Sequence, residues 1–265
     1  MNNPINTCVI VSYWVGSSPK NLHLLLSQMI KMEAGCEFGL VIVCNGGDQK
    51  PLVLPSKFQK LSPIVLNREN IGYNIGAWNF GWQSVKSNYT YFMFLQDDCF
   101  LKKKNWLSSY EYRFSIDDKL GLLGEVIMWD RMTWHYIRQA TDRDLGSDWY
   151  DKSQPHPIEF YQTYLSENNI SKGELGSHLQ SIILFTSSKI MNEIGGFPVG
   201  IAYREAVACE IGISKLIESK GYRISKVNDY PFTLIGHKQW TNGHKILNEI
   251  RNTLRKYLKP RKKLT

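Results

Sequence analysis

The chain opens on an apolar run, Cys8–Trp14 (CVIVSYW), broken only by Ser12. A near-continuous run of β-branched and apolar residues predicts a strand buried on both faces; a half-exposed strand would alternate. Phe38–Cys44 (FGLVIVC) and Tyr91–Leu95 (YFMFL) repeat the pattern, and Ser62–Leu66 gives a shorter strand. Between them the spacing becomes helical. Asn21–Glu33 (NLHLLLSQMIKME) follows Pro19, and Gly76–Ser87 (GAWNFGWQSVKS) reads as a second helix. This alternation predicts an α/β chain with a mostly parallel central sheet and helices on both faces. Polar and glycine-rich residues follow two of the strands at once: Asn45-Gly46-Gly47-Asp48 and Gln96-Asp97-Asp98. In open α/β sheets that edge is where ligands bind.

The second half is less regular. Trp106–Phe114 reads as a helix and Leu120–Ile127 as a strand. Residues 129–176 are polar, aromatic and broken by Gly146, Pro155 and Pro157, which predicts an insertion with short helices, acting as a mobile lid. Ser181–Phe185 is a strand, followed by a short helix to Ile194 and a turn at Gly195-Gly196-Phe197-Pro198. Ala206–Ser219 is a helix stopped by Gly221, and Tyr222–Val227 is a last strand. The economical division is one domain over 1–244, in halves 1–100 and 101–244, with a tail at 245–265.

Composition narrows the function. The 265 residues are 43% apolar and 21% charged, values of a folded domain and not of a disordered chain. The net charge is +8, but residues 245–265 hold eight basic residues against the single acid Glu249, so the body is near neutral. A nucleic-acid-binding protein would carry a basic stripe on its body, so no nucleic acid is expected. The tail places Ile246, Leu247, Ile250, Leu254 and Leu258 at helical spacing. It reads either as a basic amphipathic helix on an anionic membrane or as a packed helix with a charged end. The five cysteines form no CxxC, and the opening MNNPINTCVIVSYWVG lacks the basic start and long apolar stretch of a secretory signal. The expected setting is the reducing cytoplasm, with peripheral contact at the inner face of the membrane.

Phe94-Leu95-Gln96-Asp97-Asp98-Cys99 carries the strongest chemical signal. Two adjacent acids at the end of a buried strand suffer desolvation and mutual repulsion unless a positive group sits there. Mn²⁺ or Mg²⁺ suits them, because each prefers carboxylate oxygen and keeps positions open for phosphate. The bland alternative is a solvated turn or a helix cap.

Taken in order, four segments resemble the inverting GT-A glycosyltransferases of the large family 2, particularly its rhamnosyltransferase-like branch. Val9-Ile10-Val11-Ser12-Tyr13 is similar to that family's first strand. Val41-Ile42-Val43-Cys44-Asn45-Gly46-Gly47 resembles its second strand and "DNGS" loop, with Asn45 for the acid. Asn67 to Asn79 (NRENIGYNIGAWN) is similar to its "N-x-x-N-x-G-x-x-x-G-x-N" segment, and Asp97-Asp98 stands where it carries a DxD-type motif. The resemblance implies a GT-A nucleotide-diphospho-sugar transferase fold and a nucleoside-diphosphate sugar as donor. Residues 1–100 would then be the nucleotide-binding half and 101–244 the acceptor half. The donor would be held by Ser12, Asn45, Asn70, Gly72, Asn74, Asn79 and Asp97, with a metal on Asp97 and Asp98. The acceptor would be a glycan or a lipid-linked sugar of cell-surface polysaccharide synthesis.

Ile194-Gly195-Gly196-Phe197-Pro198 resembles the family's "GGFD" turn, and Gly221-Tyr222-Arg223 its "GYR". The Glu-Asp pair expected between them is missing. Counting back from Gly221 puts Glu210 on the catalytic acid; Glu205 fits the local text five residues earlier. Either would serve as the base that takes the acceptor proton, or is a helix-surface or capping residue. His237 resembles a late histidine that joins the metal in some GT-A enzymes, and His178 lies on the acceptor side. The rival from another class is a nucleotide- or carbohydrate-binding module that has lost catalysis. A nucleotidyltransferase would want a basic glycine-rich loop, and a Rossmann dehydrogenase a GxGxxG after the first strand; neither is present.

Overall fold

The computed structural model describes residues 6–48, 50–145 and 150–240. The basic tail expected at 245–265 lies outside the described residues, as does part of the insertion, 146–149.

The three apolar runs of the first half form strands where their patterning predicts them. They are β1 (Thr7–Trp14), β2 (Phe38–Asn45) and β4 (Tyr91–Gln96), with β3 at Ile64–Arg68. β1 lies between β2 and β4, parallel to both, and β2 pairs in parallel with β3. Helices α1 (Lys20–Lys31) and α2 (Tyr73–Val85) connect them. β1, β2 and β4 are covered, so their side chains bury as continuous runs: Cys8 to Val11, Leu40 to Cys44 and Phe92 to Leu95 are all at most 2% exposed.

α2 comes close to the sheet because Gly81 leaves room. A Cβ there would stand 2.8 Å from Ile10 Cγ2 and 2.9 Å from Val43 Cγ2. α2 starts three residues earlier than its periodicity suggests, because Gly72 caps it from the left-handed region with φ 74°.

β5 (Cys99–Leu101) leaves the sheet directly after β4, and α3 (Ser108–Ser115) follows. The run expected as one strand over Leu120–Ile127 is divided into β6 (Leu120–Gly124) and β7 (Ile127–Met128). The break is at the buried Glu125, whose Oε1 accepts the Tyr110 hydroxyl at 2.9 Å. The insertion is a helical pair, α4 (Trp134–Leu145) and α5 (Pro157–Glu167), followed by the short β8 (His178–Leu179), β9 (Ile183–Ser187) and α6 (Ser188–Glu193). α7 (Tyr203–Ser219), β10 (Arg223–Lys226) and β11 (Ile235–His237) complete the described chain.

The seven-stranded sheet runs β10-β6-β9-β4-β1-β2-β3. It is mostly parallel, with β9 antiparallel to both β4 and β6. The insertion brings its own small core of Trp134, Ile137, Ile158, Leu165 and Ile170, closed by Ile211 of α7. Among the described residues no helix is long and apolar enough to cross a membrane.

Gly81→Leu is expected to cost about 1–3 kcal/mol of stability, as overpacking does in a full core. Urea unfolding measures it, and a variant as stable as the parent would show that α2 can stand off the sheet.

Candidate functional site

Because β1, β2 and β4 are parallel, all three end at one edge. In register, Trp14 lies beside Asn45 and Ser12 beside Gln96. A cleft of about 480 Å³ opens there, lined by Ser12, Asn45, Asn70, Asn74, Gln96 and Asp97 among others. A second cleft of about 300 Å³ adjoins it, sharing Tyr73, Asn74, Gln96 and Gln239, and reaches Glu210. Five of the seven residues expected at the donor thus come together.

The other two support the site from outside. Gly72 turns the chain into α2 and packs against Val199, which a Cβ would meet at 2.2 Å. Asn79 sits further along α2, where its Oδ1 accepts the Phe197 amide at 3.0 Å and holds the Gly195-Gly196 turn. Tyr73 follows Gly72 with φ 54°, a conformation costing a residue with a Cβ about 1–3 kcal/mol. Asn45 offsets that cost, because its Nδ2 donates to the Tyr73 carbonyl at 2.8 Å. The carbonyl can only accept, so the amide orientation is fixed. Oδ1 is buried with no partner.

The acid pair follows β4. The Asp97 amide donates to Ser12 O at 3.1 Å, which ties the turn to β1. Burial and then the charge of Asp98 push the Asp97 carboxyl up to about 7, against the pull of its own amide, His237 and Lys238. An acid raised this far lacks sufficient countercharge, and a divalent cation would supply it. Among the described residues no three His, Cys, Asp or Glu side chains converge as metal ligands. Two carboxylates nevertheless suit a hard cation that takes its remaining ligands from phosphate and water.

β11 pairs antiparallel with β5 and sets His237 opposite Cys99, which brings its ring to Asp98. Nε2 stands 2.6 Å from Asp98 Oδ1 and 3.2 Å from Gln96 Oε1. Nδ1 accepts the Gln239 amide at 3.3 Å, so the neutral ring carries its hydrogen on Nε2. The resemblance places His237 on the metal; here its Nε2 faces Asp98, beside the acid pair.

The two candidate bases separate clearly. Glu205 Oε2 accepts the amides of Ile201 (2.7 Å) and Ala202 (3.0 Å), which caps the first turn of α7. Glu210 lies two turns on, its side chain one-fifth exposed, in the second cleft. Its Oε2 accepts the Ser181 amide at 2.7 Å and the Ser181 hydroxyl, while Oε1 faces His178 Nε2 at 3.6 Å. Burial alone would raise the Glu210 carboxyl. The His178 contact and the two Ser181 bonds outweigh it and hold the group below its ordinary value.

Gln96 and Ser181 join the two ends of the site, and sequence reasoning missed both. The Ser181 carbonyl accepts Asn74 Nδ2 at 2.6 Å and Gln96 Nε2 at 2.7 Å. A hydrogen-bonded chain therefore runs from Glu210 through Ser181 and Gln96 to His237 and Asp98. The available signal was an amide directly before the acid pair.

No protein-family model matches the chain, and no curated protein matches it. Solved structures do. The mannosyltransferase PcManGT from Pyrobaculum calidifontis, in complex with GDP-Man and Mn²⁺, aligns with 94% of this chain at 11% identity and a TM-score of 0.52. S. aureus TarS 1-349 aligns with 86% of it at 15% identity and a TM-score of 0.47. The chain spans only 61% and 59% of these two proteins. At such identity the likeness is one of fold: the chain has the GT-A nucleotide-sugar fold.

The state of Asp97 gives a stability test. Between about pH 4 and 7 the folded chain keeps a proton that the unfolded chain has released, so stability falls as pH rises through that window. In chelator at pH 8, Asp97→Asn is expected to be more stable than the parent by on the order of 1–3 kcal/mol. The gap should close below pH 4. Equal denaturant midpoints at pH 8 would show that Asp97 bears no such load.

Proposed function

We propose that the protein is a metal-dependent inverting glycosyltransferase, moving a sugar from a nucleoside-diphosphate donor to a glycan or lipid-linked acceptor. The observation that carries this reading is an acid pair on the ligand-binding edge of a GT-A sheet, with Asp97 lining a cleft that adjoins the cleft of the half-buried Glu210. A mere binding module gains little from a costly acid pair.

The donor's nucleoside lies among Ser12, Asn45 and Asn70, whose groups both donate and accept. Asp97 and Asp98 would hold Mn²⁺ or Mg²⁺, with His237 orienting Asp98 from behind, as outer partners do in metal sites. When bound, the cation neutralises charge building on the diphosphate. Asn74, Gln96 and Gln239 stand where the two clefts meet, and so flank the sugar. The acceptor hydroxyl enters beside Glu210. Its oxygen attacks the anomeric carbon opposite the diphosphate, and its proton passes to the Glu210 carboxylate. The carbon–oxygen bond to phosphate breaks with its electron pair on the departing nucleoside diphosphate. The single displacement inverts the anomeric centre.

The family-2 motifs, in order and spacing, favour a hexosyl or deoxyhexosyl transfer in cell-surface polysaccharide synthesis. Residues 245–265 would bring the enzyme to the inner face of the membrane, where lipid-linked acceptors lie.

Calorimetric titration with UDP, dTDP and GDP, with and without Mn²⁺, tests the donor site. One nucleotide should bind in a Mn²⁺-dependent manner, and Asp98→Ala should abolish the dependence. No binding under any condition would sink the reading in favour of a non-catalytic module. With the donor known, Glu210→Gln should keep nucleotide binding and lose turnover by about 10²- to 10⁴-fold, the usual share of a general base.

A further inference from the structure

Glu210 does not stand alone. β7 pairs with β8, Met128 opposite His178, and this short ladder sets the buried His178 ring beneath α7. His178 Nδ1 stands 2.8 Å from the Gly176 carbonyl, and the edge-on Trp129 ring packs against it at 5.0 Å. A carbonyl oxygen only accepts, so Nδ1 carries a hydrogen and the ring cannot turn over without losing that bond. Nε2 is thereby directed at Glu210 Oε1, 3.6 Å away. A bare lone pair facing a carboxylate would repel it; the pair attracts only when a proton lies between ring and carboxyl.

We infer that His178 is a positioning residue for the proposed base: clamped by the Gly176 carbonyl, it binds one oxygen of Glu210 and fixes the carboxylate at the acceptor cleft. The inference rests on the assignment of Glu210 as base. Ser181 holds the other oxygen with its amide and hydroxyl. The other titratable groups facing Glu210 are phenols, Tyr161 of α5 and Tyr73 and Tyr203 of the cleft wall. The rest of that wall is uncharged, with Asn74, Gln96 and Gln239. The His178 contact, with the Ser181 bonds, is therefore what counters burial. A base must be ionised to act, so a carboxyl held low keeps the enzyme active further into acid. Without His178, only the Ser181 bonds oppose burial, and activity should fail at a higher pH.

The test combines carboxyl NMR with rate profiles. In ¹³C-glutamate-labelled protein, the Glu210 signal is assigned by its loss in Glu210→Gln. In the wild type it should titrate below 4.5, the ordinary glutamate value. In His178→Gln and His178→Asn, which keep polarity and lose the charge, it should move up by about 1–3 units, the scale of a removed neighbouring charge. The acid limb of kcat/KM should move in the same direction. A wild-type signal titrating above the ordinary value overturns the inference without any variant, and so does a signal unmoved in both variants. Turnover that survives Glu210→Gln overturns instead the base assignment beneath it, so the two failures read differently.

Discussion

Ser181 holds the site together with four short hydrogen bonds. Its amide and hydroxyl bind Glu210, and its carbonyl takes the side-chain amides of Asn74 and Gln96. Those partners come from three different elements, α7, α2 and β4. A buried carbonyl has two lone pairs, and here both are used. The geometry of the two clefts relative to each other thus follows from one turn ahead of β9. The antiparallel run of β9 delivers that turn to the end of β4: Ile183 pairs with Leu95, and the Gln96 amide donates to the Ile182 carbonyl at 3.3 Å.

The two ends of this network sit in opposite electrostatic states. Two acids share the donor end, and Asp97 is pushed up by burial and by its neighbour. At the other end a single half-buried acid is held down by an imidazole and a serine. The same desolvation acts on both, and the company decides the outcome. One end is left wanting positive charge and the other is already supplied with it. That division suits a reaction in which charge gathers on a leaving diphosphate while a proton is taken elsewhere.

Much of the fold was legible because parallel strands covered on both faces must be apolar throughout, as Cys8 to Val11 and Phe92 to Leu95 are. Direction was not: Ser181–Phe185 reads the same whether its strand runs parallel or antiparallel. Nor was the break at Glu125, because its Tyr110 partner comes from a separate helix. α7 begins at Tyr203 and not Ala206, since Glu205 caps a turn whose first residue, Ala202, has no side chain to do so. In the site, the acid pair and its asparagines were readable from composition at strand ends. The bridging amide of Gln96 was not, because its partner lies 85 positions away. Such a bond depends on strand register, which no local spacing encodes.

The junction at position 181 has an evolutionary property. Its four bonds use three groups of Ser181, yet only the hydroxyl is specified by the codon; the amide and carbonyl come with the main chain. Drift at this position can remove one bond to Glu210 and leave the links to Asn74 and Gln96 in place. Proline alone would also delete the amide. The node is therefore buffered against mutation, and diversification falls on the residues that reach toward it. Substitutions at those residues would reshape either cleft while the main-chain frame between them stays in place.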